Sequence, residues 1–230
     1  MNANRGRAAS SLAGIAAAVL IIALAIVPFL TPAWVAFEQE RANVAAWTGF
    51  STPEIRAATD PILADLVLGG TFTVEVRGQP VLNERERGHM ADVRTVFRGL
   101  WIVAVGAVIV LIAAAKRGDT RRHWQAVRHS AVGLALGIGI VGVMGLFAFD
   151  RLFEIFHELF FPAGSYLFDP ATDRLVQLFP FQFWQETAIV VGVVIIVASF
   201  VVAAFAGRRA RRRVATRAEQ DRAAVPAPPS

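Results

Sequence analysis

Apolar side chains run almost without interruption through four stretches of this chain, about 9–30, 97–115, 130–149 and 187–207. Each is roughly 19–23 residues, enough for a helix to cross the hydrocarbon of a bilayer. None has a charged residue at its centre, which counts against a pump, a proton relay or a voltage-driven carrier. Between the spans the pattern changes. Residues 31–96 are too long for a plain connector. Thr52 at the N-cap, Pro53 at the first helical position and Glu54 in the first turn predict a helix over about 53–68, ended by Gly69-Gly70. Thr71-Phe-Thr-Val-Glu-Val76 alternates and is β-branched, so it predicts a strand. Arg77 to Pro80 reads as a turn, with a short return strand at Val81-Leu82. The result is a small α/β cap, too small for a sizeable core of its own.

Asn83 with Glu86 three residues later has the form of a capping box. The helix it opens should run unbroken from Glu84 into the second span. The expected fold class is therefore an α-helical membrane protein with four transmembrane helices and a small extracytoplasmic α/β cap. In order, the chain divides into an N-terminus 1–8, first span 9–30, cap and start of the second helix 31–96, second span 97–115, loop 116–129, third span 130–149, aromatic loop 150–186, fourth span 187–207 and a basic, disordered tail 208–230. In the third span, Gly133-x-x-x-Gly137 predicts close helix packing.

Composition adds direction. The chain is 55% hydrophobic with mean hydropathy +0.51. Segments 1–8, 116–129 and 208–230 hold 14 of the 23 basic residues and 3 of the 18 acidic ones. The positive-inside rule places those segments in the cytoplasm, making this a multi-pass plasma-membrane protein with both termini inside. The arginines bring no aromatic interleaving or folded module, so nucleic acid is not an expected partner. The first span is longer than a signal-peptide core and lacks a clear cleavage site, so it reads as an uncleaved helix. There is no cysteine, which excludes disulfides, thiolate nucleophiles and thiolate metal sites.

Two histidines remain as candidate chemistry. His157 sits in Phe149-Asp-Arg-Leu-Phe-Glu-Ile-Phe-His-Glu-Leu-Phe-Phe-Pro162, and helical spacing puts it on a face with Phe153, Glu154, Phe160 and Phe161. The plain alternative is an aromatic belt with a polar tip among headgroups. His89 lies one turn from Glu86 and from Asp92, near the start of the second helix. A carboxylate in reach would fix its tautomer. Here the alternative is a surface histidine in a salt-bridged first turn. His123 and His129, among arginines, read as interface residues. Antiparallel neighbouring helices would bring His89 and His157 together at the outer leaflet, beside phenylalanines able to hold an acyl chain.

Asn83-Glu-x-Glu-x-x-His89-Met-x-Asp92-Val93 and Phe153-x-x-Phe156-His157-x-x-Phe160-Phe161, followed by Asp169-Pro170 and Phe179-Pro180-x-x-Phe183, resemble a family of bacterial four-helix membrane proteins that includes the lipoprotein intramolecular transacylases. The resemblance covers about residues 10–205. Tyr166 stands where a family tryptophan is expected. The resemblance implies an acyltransferase that moves the sn-2 acyl chain of a diacylglyceryl lipoprotein onto its own N-terminal amine, with no acyl-enzyme and no cofactor or metal. The partners are then membrane lipid and diacylated lipoprotein N-termini. His157 is the expected base and His89 the orienting or oxyanion-stabilising partner, although the roles could be exchanged. Glu86, Asp92 and Glu154 are expected to support them, and Phe153, Phe156, Phe160, Phe161 and Tyr166 to contact the acyl chain or headgroup. Two other readings compete. One is a non-catalytic membrane scaffold or sensor with a partner-binding cap. The other is a metal-dependent hydrolase using His89, His157 and Asp92, although no close histidine spacing supports it.

Overall fold

Helices account for nearly all the regular structure in the computed structural model, which describes residues 2–116 and 121–223. They are α1 (Asn2–Ile26), α2 (Pro32–Arg41), α3 (Val44–Thr48), α4 (Thr52–Leu68), α5 (Glu84–Lys116), α6 (Arg121–Phe160), α7 (Arg174–Leu178) and α8 (Phe181–Ala223). A 3-10 turn, Val27–Leu30, follows α1. Among the described residues, four stretches are long and apolar enough to cross a membrane: Gly6–Leu30, Glu84–Lys116, Arg121–Phe160 and Phe181–Arg211. Large apolar side chains are exposed along them, including Ile102, Ile109, Leu136, Phe147, Val193 and Val201, as lipid-facing helices require.

These helices are longer than the apolar runs. The expected aromatic loop 150–186 is largely helical, because α6 continues to Phe160 past a break at Ala148 (φ −147°, ψ 44°). α8 starts at Phe181 and continues through 208–223, which composition assigns to a disordered tail; residues 224–230 lie outside the described residues. Helix propensity explains the mismatch. Apolar runs mark where lipid is, whereas arginine, alanine and glutamate continue a helix beyond it.

The described chain separates into two units. The first comprises residues 2–24, 102–116, 121–140 and 194–223. Its buried positions are mostly small and recur at helical spacing: Ala13, Ala16 and Ala17 on α1, Ala131 and Ala135 on α6, Ser199, Ala203 and Ala206 on α8. Small residues let helix backbones approach where no water drives association. The closest approach is at Gly14, where a Cβ would stand 2.5 Å from Ser130 Oγ and 2.9 Å from the Ala126 carbonyl. The expected Gly133-x-x-x-Gly137 contact is not made, since a Cβ at either glycine would meet open space.

The second unit comprises residues 25–101 and 141–193. It has a true core, contrary to the expectation of a cap without one. Val44, Ile62, Phe72, Val81, Met90 and Leu178 are among the residues packed into one cluster. The core exists because segments far apart in the chain share it: α2, α3 and α4, the hairpin, Met90 of α5, and Leu175, Leu178 and Phe183 after the aromatic stretch. Each such side chain contributes about 1.5–3 kcal/mol when fully buried.

Local signals within this unit are displaced by a residue or two. The N-cap of α4 is Ser51, not Thr52; its N–H and hydroxyl donate to Glu54 Oε2 at 2.8 and 2.7 Å. The sheet is one hairpin of two-residue strands, β1 (Glu75–Val76) and β2 (Gln79–Pro80). Its turn is Arg77-Gly78, both at positive φ. The longer strand predicted over 71–76 is cut short because Phe72 adopts φ 55°, buries its ring and donates its N–H to Asp65 Oδ2 at 2.7 Å. Val81 donates to the Val74 carbonyl at 2.8 Å, but Val81-Leu82 is not the return strand.

Candidate active site

The first turn of α5 is fixed by the predicted box. Asn83 N–H donates to Glu86 Oε2 at 2.7 Å, and Glu86 N–H donates to Asn83 Oδ1 at 3.0 Å. Glu86 is only 1% exposed, and its second oxygen accepts the Leu175 N–H at 2.6 Å. Asp173, also buried, accepts from Asn83 Nδ2 (3.0 Å), Arg85 (2.7 Å) and the Asp169 N–H (2.8 Å). Two carboxylates therefore clamp segment 169–175 to the start of α5. Burying them is tolerable because their oxygens are matched by backbone N–H groups and one guanidinium.

One turn further along α5 is His89, 7% exposed. Its ring stacks with that of His157, centroids 5.9 Å apart and planes at 22°. Phe161 and Phe168 meet His89 edge-on at 4.8 and 5.4 Å. Around His157 stand Phe153 (4.3 Å), Phe156 (5.4 Å), Phe161 (5.3 Å) and Tyr166 (5.1 Å). His157 Nδ1 lies 2.7 Å from the Phe153 carbonyl oxygen. A carbonyl only accepts, so Nδ1 carries the proton and a neutral ring keeps its lone pair on Nε2. On His89, Nδ1 is enclosed with no hydrogen-bond partner among the described residues, so a ligand could bond this ring only through Nε2.

Some expected supports stand elsewhere. Glu86 bonds Asn83 and Leu175, and Asp92 makes no hydrogen bond or ion pair with His89, so neither carboxylate fixes that ring's tautomer. Glu154 is half exposed and pairs with Arg151, not with His157. Helical spacing gave the shared face correctly, but a carboxylate beside a guanidinium and solvent has no reason to turn into a phenylalanine pocket. Phe160 contacts Phe156 at 4.9 Å and not the imidazole. No three histidine, aspartate or glutamate side chains among the described residues gather as a metal set, so Asp92 does not join the two histidines.

Phe168, Asp173 and Arg85 escape sequence reasoning. Arg85 bridges two of these parts, pairing with Asp173 and lying over the Phe168 ring at 5.0 Å. Asp169-Pro170 marks a turn, but nothing local says that the turn folds back onto α5.

Residues 11–184 match the model of the family described as lipoprotein intramolecular transacylase Lit. The chain belongs to that family. It is thus an acyltransferase and an integral membrane protein, as the four apolar helices require. Solved structures agree in fold. The membrane-integral lipoprotein intramolecular transacylase Lit from Bacillus cereus superposes with a TM-score of 0.77 at 16% identity, over 92% of this chain and 98% of that one. Forms of that protein with one histidine replaced by alanine or by arginine give 0.76 and 0.71, at 16% and 17% identity. The alanine form covers 92% of this chain and 96% of its own; the arginine form covers 94% and 96%. No curated relative matches this transacylase-family chain by sequence.

Proposed function

We propose that this transacylase-family protein moves the sn-2 acyl chain of a diacylglyceryl lipoprotein to that lipoprotein's own N-terminal amine, using His157 as base and His89 as its partner. One observation carries the reading: two stacked imidazoles in an aromatic pocket, one with its Nδ1 proton held by a backbone carbonyl.

The α-ammonium of the substrate, with an ordinary pKa of about 7.7–8.0, first releases one proton to solvent. The freed amine attacks the ester carbonyl of the same molecule, and Nε2 of His157 takes a second proton from the attacking nitrogen. Holding the amine and ester in one pose supplies about 7–11 kcal/mol of the barrier. A His89 N–H at Nε2 donates to the tetrahedral oxyanion. The carbon–oxygen bond of the ester then breaks, and the glyceryl oxygen takes the proton from His157. An amide and a free hydroxyl result, with no change in mass. No acyl-enzyme forms, consistent with a chain that has no cysteine. Phe153, Phe156 and Phe161 line the path of the acyl chain, and Tyr166 borders the headgroup. The arginine-rich segments lie in the cytoplasm and the histidines at the outer leaflet, where lipoproteins are exposed.

The test is mass spectrometry of a reporter lipoprotein's N-terminal peptide in a host that makes diacylated lipoproteins. Wild type should transfer the chain at constant mass, and His157→Ala or His89→Ala should abolish transfer at equal expression. A peptide that keeps its free amine beside folded wild-type protein would instead favour a membrane scaffold.

A further inference from the structure

We propose that the cleft between α6 and α8 in the arginine-rich unit binds an anionic phospholipid, independently of the acyl-transfer reading. The cleft is open and has a volume of about 430 Å³. Arg128, Arg208 and Arg211 line it, and no carboxylate joins them among the described residues. All three arginines are exposed, and among the described residues none pairs with an acid. Their state differs from that of Arg41, Arg77, Arg85 and Arg151, each of which has a carboxylate partner. Arg209, next in the chain, lies over Phe205 at 5.1 Å and is not part of the lining.

The cleft is graded along the helices. On α6, Arg128 precedes Val132 by one turn in the direction of the span. On α8, Phe200 and Ala203 lie two turns inside Arg208 and Arg211, on the same face. Charge stands at the outer end and apolar wall follows inward on both helices. A phosphodiester followed by an acyl chain has that order of chemistry; free phosphate would leave the apolar wall unused. Gly207 contributes space. A Cβ there would touch Arg128 Cδ at 3.5 Å, so the stem of Arg128 lies against bare backbone. Guanidinium pairs well with a phosphate because its fork matches two oxygens. Each arginine near an anionic lipid surface contributes about a five-fold gain in binding.

Native mass spectrometry of the purified full chain tests this, with phosphatidylglycerol titrated against phosphatidylcholine of the same acyl chains. Phosphatidylglycerol should bind more tightly, and Arg128→Gln/Arg208→Gln should weaken it about 25-fold. The control pair Arg121→Gln/Arg122→Gln removes the same charge from exposed arginines outside the lining and should change binding less than three-fold. Ala204→Leu narrows the apolar part of the cleft, keeps every charge and should weaken binding about ten-fold even if the double variant folds poorly. Equal binding of the two lipids overturns the proposal, as does equal loss in both double variants, which would mean diffuse surface attraction. Displacement of the lipid by millimolar inorganic phosphate would assign the arginines to a free anion and overturn it too.

Discussion

In the arginine-rich unit the buried side chains are mostly alanines at helical spacing, with Ser10, Ser199 and a few branched residues, and its charges are at the surface. In the histidine-bearing unit the most deeply buried side chains are Phe72, Ile62 and Leu178 together with Glu38 and Glu86. The first unit packs by backbone proximity, which a lipid solvent favours because apolar burial there yields little. The second packs by side-chain volume, as water-facing domains do, and then admits carboxylates into its interior. Chemistry concentrates where charged groups can be enclosed and matched. Alanine methyl groups neither donate nor accept, so alanine-packed helix faces do little to hold an imidazole or a carboxylate in place.

The comparison can be broken at four points. The largest effect is expected at His157. His157→Gln retains a polar side chain of similar reach but no base, and acyl transfer should fall at least about 100-fold with an unchanged melting temperature. A melting temperature that falls with activity would make the residue structural. Next is Glu86→Ala, which strips partners from the Asn83 and Leu175 N–H groups. Two unsatisfied donors at about 1–3 kcal/mol each should destabilise the histidine-bearing unit by about 2–6 kcal/mol. Limited proteolysis should then cut first within 162–180.

Gly14→Ala tests the other unit. Its Cβ meets a backbone carbonyl and Ser130, so a loss of about 1–3 kcal/mol is expected in a thermal melt. Activity per folded molecule should stay the same; if it falls as well, the two units are not separable as the comparison holds. The smallest effect is at Glu54. Arg77 first, then the Ser51 N–H and hydroxyl, hold its carboxyl at about 2, below the usual 4.5. A lowered carboxyl contributes stability that is complete above about 4.5 and is lost as pH falls toward 2. Glu54→Gln should flatten that part of the melting-temperature profile slightly, because the pair is exposed and screened.

Much of this was legible in the order of residues. Periodicity and run length located four spans, since a bilayer demands long apolar helices whatever the neighbours are. Asn83 and Glu86 announced the start of α5 because a capping box is closed within four residues. Phe153 and Phe161 fell beside His157 because helix geometry alone puts them there. Local signals failed where another segment competed for the same atoms. Glu86 could not be seen to leave His89 for Leu175, since those residues are 89 positions apart. Phe72 left its strand to fill a core assembled from segments far apart in the chain. Glycines 133 and 137 had the right spacing for contact, but only the arrangement of helices decided that Gly14 would make it. Sequence determined the elements and the two histidines; tertiary structure decided which polar groups meet, because a buried carboxylate or imidazole is held by whichever partner the fold brings within hydrogen-bond reach.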